Sequence, residues 1–242
     1  MNSKRLDIFI YETGLAESRN KAREFILNGM VTVNCIAVTK PSYLITADER
    51  VEIAAPPRYV GRAGYKLETA AEVFGINFSG LVCLDAGAST GGFTDYMLKN
   101  GAKRVYAVDV GSEQLHESLR NNPKVISMEK QDIRTLEISE KVDFITADLS
   151  FISLKCVIPC FKKFLKEQGE CVVLIKPQFE AGNRHFKNGV IKDEKIINAV
   201  IEDLKQFTEE QGFKTIGITP SKLNEEGKNR EFLYYFNCIK RK

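Results

Sequence analysis

Apolar positions along this chain follow two rhythms. From residue 80 onward, short apolar runs bounded by glycine, proline or charge alternate with stretches whose apolar positions recur at helical spacing. The runs at 80–84, 104–109, 125–128, 144–147, 171–175, 215–218 and 232–236 predict the strands of an open α/β sheet, the last two pairing as an antiparallel edge. Residues 1–55 read as a small α+β module. A helix over 5–11 stops at Gly14, Ser18 caps a second over 19–28 that ends at Gly29, and strands follow at 30–34 and 51–53. The prolines of Ala54-Ala55-Pro56-Pro57 end it, which predicts a linker over 56–61 and a larger domain over 62–242. That domain opens on an amphipathic helix with Leu67, Ala70, Ala71 and Phe74 on one face and Lys66 in its first turn.

Composition narrows the class. With 242 residues and 43% hydrophobic content, the chain has room for one large core and a small extra domain. No apolar run approaches the roughly 18 residues of a membrane span, and the first residues lack a signal-peptide apolar region, so a cytoplasmic protein without a membrane partner is expected. Six cysteines show no paired CxxC spacing. Cys156 and Cys160, four apart on a predicted helix, read as packing residues, and neither a metal site nor a disulfide framework is expected. Net charge is +3, and residues 1–60 hold eight Lys/Arg against seven Asp/Glu, so affinity for nucleic acid must come from clustering. Arg19, Lys21 and Arg23 fall in one window with Lys4, Arg5 and Lys40 as candidate neighbours for phosphate contacts, a solvated helix face being the alternative.

The first candidate site is the turn Asp85-Ala86-Gly87-Ala88-Ser89-Thr90-Gly91-Gly92-Phe93, which follows the strand at 80–84. Ligands in open α/β sheets sit at such strand ends, and Gly87, Gly91 and Gly92 let backbone approach one closely. A carboxylate two residues before the first glycine would repel a pyrophosphate and attract the ammonium of S-adenosylmethionine. Ser89 and Phe93 belong to the same cofactor set. Asp109, 24 residues beyond Asp85, stands where a carboxylate accepts ribose hydroxyls, a feature that suits NAD equally. Asp132 is a candidate for the adenine edge. A tight βα turn that needs glycines only for packing remains the alternative.

The second site gathers from strand ends. Asp148 follows the run at 144–147, Lys176 follows 171–175, and Glu231 precedes 232–236. With Lys66 they resemble the Lys-Asp-Lys-Glu tetrad of FtsJ-like RNA 2′-O-methyltransferases. Ser18-Arg19, Ala22, Ile26, Gly29, Val31, Val33-Asn34 and Lys40-Pro41 resemble the S4 RNA-binding domain. The Lys176-Pro177-Gln178-Phe179-Glu180 run, Asp109-Val110-Gly111 and Asn229-Arg230-Glu231-Phe232-Leu233 extend the likeness, so the whole chain resembles the TlyA, or haemolysin A, family. Gly61-Arg62-Ala63-Gly64 departs from an expected Ser-Arg-Gly-Gly, and the stretch from Ser112 to Glu117 is more acidic than the family pattern.

That resemblance implies a Rossmann-like methyltransferase sheet of seven strands, six parallel and the last antiparallel, behind an S4-like module. It implies S-adenosylmethionine as cofactor and cytidine ribose in ribosomal RNA, within ribosomal subunits, as substrate. The large subunit is the first expectation and the small subunit the second. Lys66, Asp148, Lys176 and Glu231 would be catalytic, with Lys176 as base, Asp148 orienting it and also touching the cofactor, and Lys66 and Glu231 placing the ribose. Arg62 joins the RNA-contacting residues, and Arg184, Lys187 and Lys192 are either phosphate contacts or a solvated loop. A monomer is expected. A membrane-lytic protein and a non-catalytic RNA-binding protein are the competing classes.

Overall fold

The computed structural model describes residues 3–46, 48–54, 58–182, 190–223 and 227–239. It divides into two compact units, 1–58 and 59–242.

The first unit runs β1 (Lys4–Arg5), α1 (Leu6–Glu12), α2 (Arg19–Leu27), β2 (Val31–Val33), β3 (Ile36–Ala37), β4 (Leu44–Ile45) and β5 (Val51–Ile53). Central β2 pairs antiparallel with β3 and β5, whereas β1 pairs with β4. Arg5, expected to open the first helix, is therefore extended and paired. Ser18 caps α2 as expected, its hydroxyl accepting the Lys21 N–H at 3.1 Å. Leu6, Ile10, Ala22 and Ile26 from one face of each helix pack on Val31 and Val33.

Asp7, beneath this surface, is fully buried. Its carboxylate accepts from Arg5 Nε at 3.0 Å and from Arg19 Nε at 3.0 Å. Burial alone would raise the Asp7 carboxyl, but the hydrogen bonds from Arg5 and Arg19 outweigh it and hold the group below its usual range. Lys4 pairs with Glu12 at 2.7 Å and Lys21 with Glu24 at 2.9 Å. Of the basic cluster expected to offer phosphate contacts or a solvated face, Lys4, Arg5, Arg19 and Lys21 are thus ion-paired within the unit. Arg23 and Lys40 are exposed.

The second unit runs α3 (Ala63–Phe74), β6 (Val82–Ala86), α4 (Gly92–Lys99), β7 (Arg104–Asp109), α5 (Glu117–Arg120), β8 (Val125–Glu129), β9 (Val142–Ala147), α6 (Ile158–Phe164), β10 (Leu165–Ile175), α7 (Pro177–Glu180), α8 (Glu194–Glu210), β11 (Phe213–Pro220) and β12 (Phe232–Cys238). Among the described residues its sheet has seven strands in the order β11-β12-β10-β9-β6-β7-β8. Six run one way and β12 runs against them, because it is antiparallel to both β10 and β11. The last strand in sequence is accordingly not an edge: β11 takes that place. β10 begins at Leu165, earlier than its apolar run suggests, and its pairing with β9 shifts between Leu165 and Glu170.

Both sheet faces are covered, as continuous apolar strands require. Leu67, Ala70, Phe93 and Met97 from α3 and α4 cover one face with Cys83, Phe144 and Val172. Phe161, Phe164 and Leu204 from α6 and α8 cover the other with Leu84, Ile145 and Val173. Tyr59 is buried between Tyr65 and Tyr96, and the Val60 N–H donates to Asp95 Oδ2 at 2.9 Å. Residues 59–61, expected in the linker, are therefore packed on this unit. Cys156 does not pack either: it is exposed at the end of a 3₁₀ turn (Leu154–Cys156), and only Cys160 is partly covered. Among the described residues no helix is long and apolar enough to cross a membrane.

Asp7→Ala is expected to destabilise the first unit by about 2 kcal/mol, since it removes charged hydrogen bonds at a buried position. A folded-state value below the ordinary one makes that contribution present above pH 3.8 and lost as pH falls through the lower native value. Hydrogen-exchange protection of α1 and α2 at pH 7 and pH 3 checks both statements; equal protection in variant and wild type at pH 7 would contradict them.

Candidate active site

The four tetrad residues arrive at one edge because of strand direction. Asp148 follows β9 and Lys176 follows its parallel neighbour β10, so both leave the carboxyl edge of the sheet. β12 runs the other way and pairs Phe232 with Ile175, which puts Glu231, just before its start, beside Lys176 at the same edge. Lys66 comes from the first turn of α3. The side chains meet: Lys66 Nζ is 2.7 Å from Glu231 Oε2 and 3.5 Å from Asp148 Oδ2, and Lys176 Nζ is 2.7 Å from Asp148 Oδ1. Each is between 10% and 20% exposed. Two lysines and two carboxylates balance in charge, the condition under which a part-buried cluster is tolerated.

Two cavities border this cluster. The smaller, about 180 Å³, is lined by Ala63, Asp85, Gly87, Ser89, Phe93, Asp148, Ser150 and Lys176. The larger, about 430 Å³, is lined by Asp109, Gln131, Asp132, Ile133, Leu149 and Phe151, and shares Gly87, Ser89, Asp148 and Ser150 with the smaller. A third, about 490 Å³, opens on the tetrad's Lys66 and Glu231 and is also lined by Arg62, Gln178, Lys228 and Asn229.

An FtsJ-like methyltransferase model matches residues 59–238, and an S4 domain model matches residues 4–51. The chain belongs to the FtsJ-like methyltransferase family. Hemolysin A of Brachyspira hyodysenteriae is 42% identical over 241 residues, covering 96% of this chain and 99% of that protein. TlyA of Mycobacterium tuberculosis, named a 16S/23S rRNA (cytidine-2'-O)-methyltransferase, is 36% identical over 237 residues, covering 96% and 88%. A solved protein of Streptococcus thermophilus aligns with a TM-score of 0.76 and 38% identity over 99% of this chain and 90% of its own.

In this FtsJ-like methyltransferase the glycine-rich turn is built on Asp85. Thr94 Oγ1 donates to its Oδ2 at 2.7 Å and Thr146 Oγ1 to its Oδ1 at 2.9 Å, so both carboxylate oxygens brace the turn from beneath. Burial pushes the Asp85 carboxyl up to about 6, the two threonine hydrogen bonds opposing and the Asp148 charge reinforcing the rise. Gly87 is at φ 79, and a Cβ there would come within 2.7 Å of the Asp148 carbonyl oxygen. Only glycine fits that wall.

The other glycines act differently. A Cβ on Gly91 would strike Leu119 and Leu115, and one on Gly92 would strike the Gly64 nitrogen and Ala63. Neither lines the two cavities that share Asp148, and the lack of a side chain at each makes room for α5 and α3. Asp109 accepts from the Ser89 N–H at 2.8 Å and the Gly111 N–H at 2.7 Å, tying the turn to the next loop while facing the larger cavity. Asp132 is gripped by Arg134 and drops to about 2, chiefly through that side-chain hydrogen bond.

The fit to a cofactor rests on these surfaces. Asp148 Oδ1 is buried and receives no aligned hydrogen bond among the described residues, despite its ion pair with Lys176. Two carboxylates, Asp85 and Asp148, around a cavity whose wall admits only glycine match a cationic ligand held against backbone. Gln178 Oε1, at the third cavity, is likewise buried and has no hydrogen-bond partner among the described residues, a feature the sequence pattern did not expose. Ser150 and Glu180 were also missed. The signal lay in the Asp148-Leu149-Ser150 and Lys176-to-Glu180 motifs, read for their charged ends alone. Of the loop cations, Lys192 is exposed, whereas Arg184 and Lys187 lie outside the described residues.

A native value near 6 against an ordinary 3.8 means that folding favours the protonated acid at Asp85, so its contribution is complete below pH 3.8 and is lost as pH rises through about 6. Asp85→Asn is expected to raise stability at pH 8 by up to about 3 kcal/mol, with the gain shrinking toward pH 4. Urea midpoints across that range check it. A variant offset that does not change with pH would contradict the assignment.

Proposed function

We propose that this chain methylates the 2′-hydroxyl of cytidine ribose in ribosomal RNA of the large subunit, with S-adenosylmethionine as methyl donor. The observation that carries the reading is the Lys66–Asp148–Lys176–Glu231 cluster, bordered by two cavities that share Asp148 and by a cation-lined cavity that takes in Lys66 and Glu231. The M. tuberculosis relative's name supports the reaction class, and the S4 match supports an RNA partner.

Residues Asp85, Gly87, Ser89, Phe93 and Asp148 would hold the methionine part, and Asp109 and Asp132 would face the adenosine part. When bound, the cofactor supplies a methyl carbon on a sulfonium, and transfer leaves the carbon–sulfur electron pair on sulfur. A ribose hydroxyl is a poor nucleophile, so its proton must leave as the oxygen attacks. Lys176 in its amine form takes that proton at Nζ. Asp148 holds Lys176, while Lys66 and Glu231 locate the ribose and balance charge on its oxygen. The alternative NAD reading has to place a pyrophosphate on a turn backed by Asp85 and Asp148, where like charge opposes it.

The first unit, residues 1–58, would deliver RNA to the larger domain at 59–242. Arg5 and Arg19, held by Asp7, together with Lys4, Lys21, Arg23 and Lys40, offer phosphate contacts, and Arg62 lines the cavity beside the tetrad. The enzyme would act as a monomer in the cytoplasm.

Transfer of tritiated methyl from S-adenosylmethionine to purified subunits lacking the modification tests the reading. Large-subunit RNA is expected to be labelled at the cytidine ribose, and Lys176→Ala to lower the rate at least about 100-fold. Undiminished transfer by Lys176→Ala would overturn the role of the tetrad, and label confined to the small subunit would overturn the choice of substrate.

A further inference from the structure

Lys176 makes its aligned hydrogen bond outside the tetrad. Its Nζ donates to Ser150 Oγ at 2.9 Å, whereas Asp148 Oδ1, though 2.7 Å away, lies off the line a hydrogen bond needs. From this geometry we infer that Ser150 is a positioning residue for the methyl-transfer step, setting the direction in which the Lys176 amine presents its lone pair. The inference rests on the reading of Lys176 as base.

The stereochemistry is simple. A neutral amine carries two N–H bonds and one lone pair in a tetrahedral arrangement. With one N–H fixed on the Ser150 oxygen, two directions remain for the second N–H and the lone pair, and the charge of the nearby Asp148 carboxylate favours the N–H on its side. Ser150 and Lys176 both line the small cavity that also holds Asp85, Gly87 and Phe93. A hydroxyl suits this task better than a second carboxylate. It accepts the N–H without adding a negative charge that would favour the ammonium over the amine.

The loop that carries Ser150 is held to the segment that carries Lys176. Ser153 Oγ donates to Glu180 Oε2 at 2.5 Å and the Leu154 N–H donates to Glu180 Oε1 at 2.8 Å, fastening that loop to α7, which begins immediately after Lys176. Phe151, next to Ser150, takes φ 64, a left-handed conformation unusual for a phenylalanine, and its ring lies 5.2 Å from that of Phe179 on α7. Two independent contacts thus fix the distance between Ser150 and Lys176.

Ser150 is exposed, so Ser150→Ala is expected to fold with an unchanged melting temperature. Its kcat is expected to fall about tenfold, with calorimetric affinity for S-adenosylmethionine kept within about twofold of wild type. Ser150→Thr, which keeps the hydroxyl, is expected to restore most of the rate. An unchanged kcat in Ser150→Ala, a defect confined to cofactor affinity, or failure of threonine to rescue would each overturn the proposal. Lys176→Ala run alongside separates the two levels: if it transfers methyl normally, the base assignment itself fails, whereas an inactive Lys176→Ala beside a fully active Ser150→Ala refutes the Ser150 role alone.

Discussion

One strand runs the wrong way, and the site depends on it. In a sheet of parallel strands only carboxyl ends meet at the ligand-binding edge, so every side chain there follows a strand. β12 is antiparallel, and its register with β10 pairs Phe232 with Ile175, so a residue that precedes a strand joins residues that follow others. Glu231 reaches Lys66 by this route. The insertion of β12 between β10 and β11 also gives it hydrogen-bonding neighbours on both sides, which fixes its height far more firmly than an edge position would.

The cluster that results is a compromise between cost and use. Four charges are largely withdrawn from water, and each alone would be expensive to bury. Pairing offsets much of the cost, but hydrophobic side chains of similar volume often stabilise a protein more than such a network does. Stability is therefore a poor explanation for it. A chemical role accounts better for its position at the meeting of three cavities. Asp85 tells the same story on a smaller scale, since a carboxyl buried without a cationic partner and pushed up to about 6 is a burden on the fold at neutral pH.

Strands were legible because their apolar runs are short and sharply bounded, and the glycine-rich turn because so many small residues sit together after one of them. Tetrad membership was legible only through family resemblance, for nothing local marks Glu231 at the start of a strand. What escaped notice depends on distance in sequence. Ser150 and Lys176 are brought together by neighbouring strands, and a serine has no charge to draw attention. Asp7 looks like an ordinary first-turn acid of α1 until the fold buries it under Arg5 and Arg19. Gly91 and Gly92 carry a second constraint that their motif does not show: it suggests ligand approach, but they also make room for Leu119, Gly64 and Ala63.

Those two glycines bear on the chemistry all the same. Gly92 lets α4 approach the start of α3 until a Cβ would collide, and Lys66 stands one turn into α3. The turn that walls the small cavity and the helix that carries a tetrad lysine are therefore set against each other by direct backbone contact. Ala63, at that contact, lines both the small cavity and the cation-lined one. A side chain at Gly92 would push α3 outward, and with it Lys66, away from Asp148 and Glu231. Packing and catalysis are thus coupled through the same few atoms, and the spacing of the reacting groups depends on the glycine at this contact.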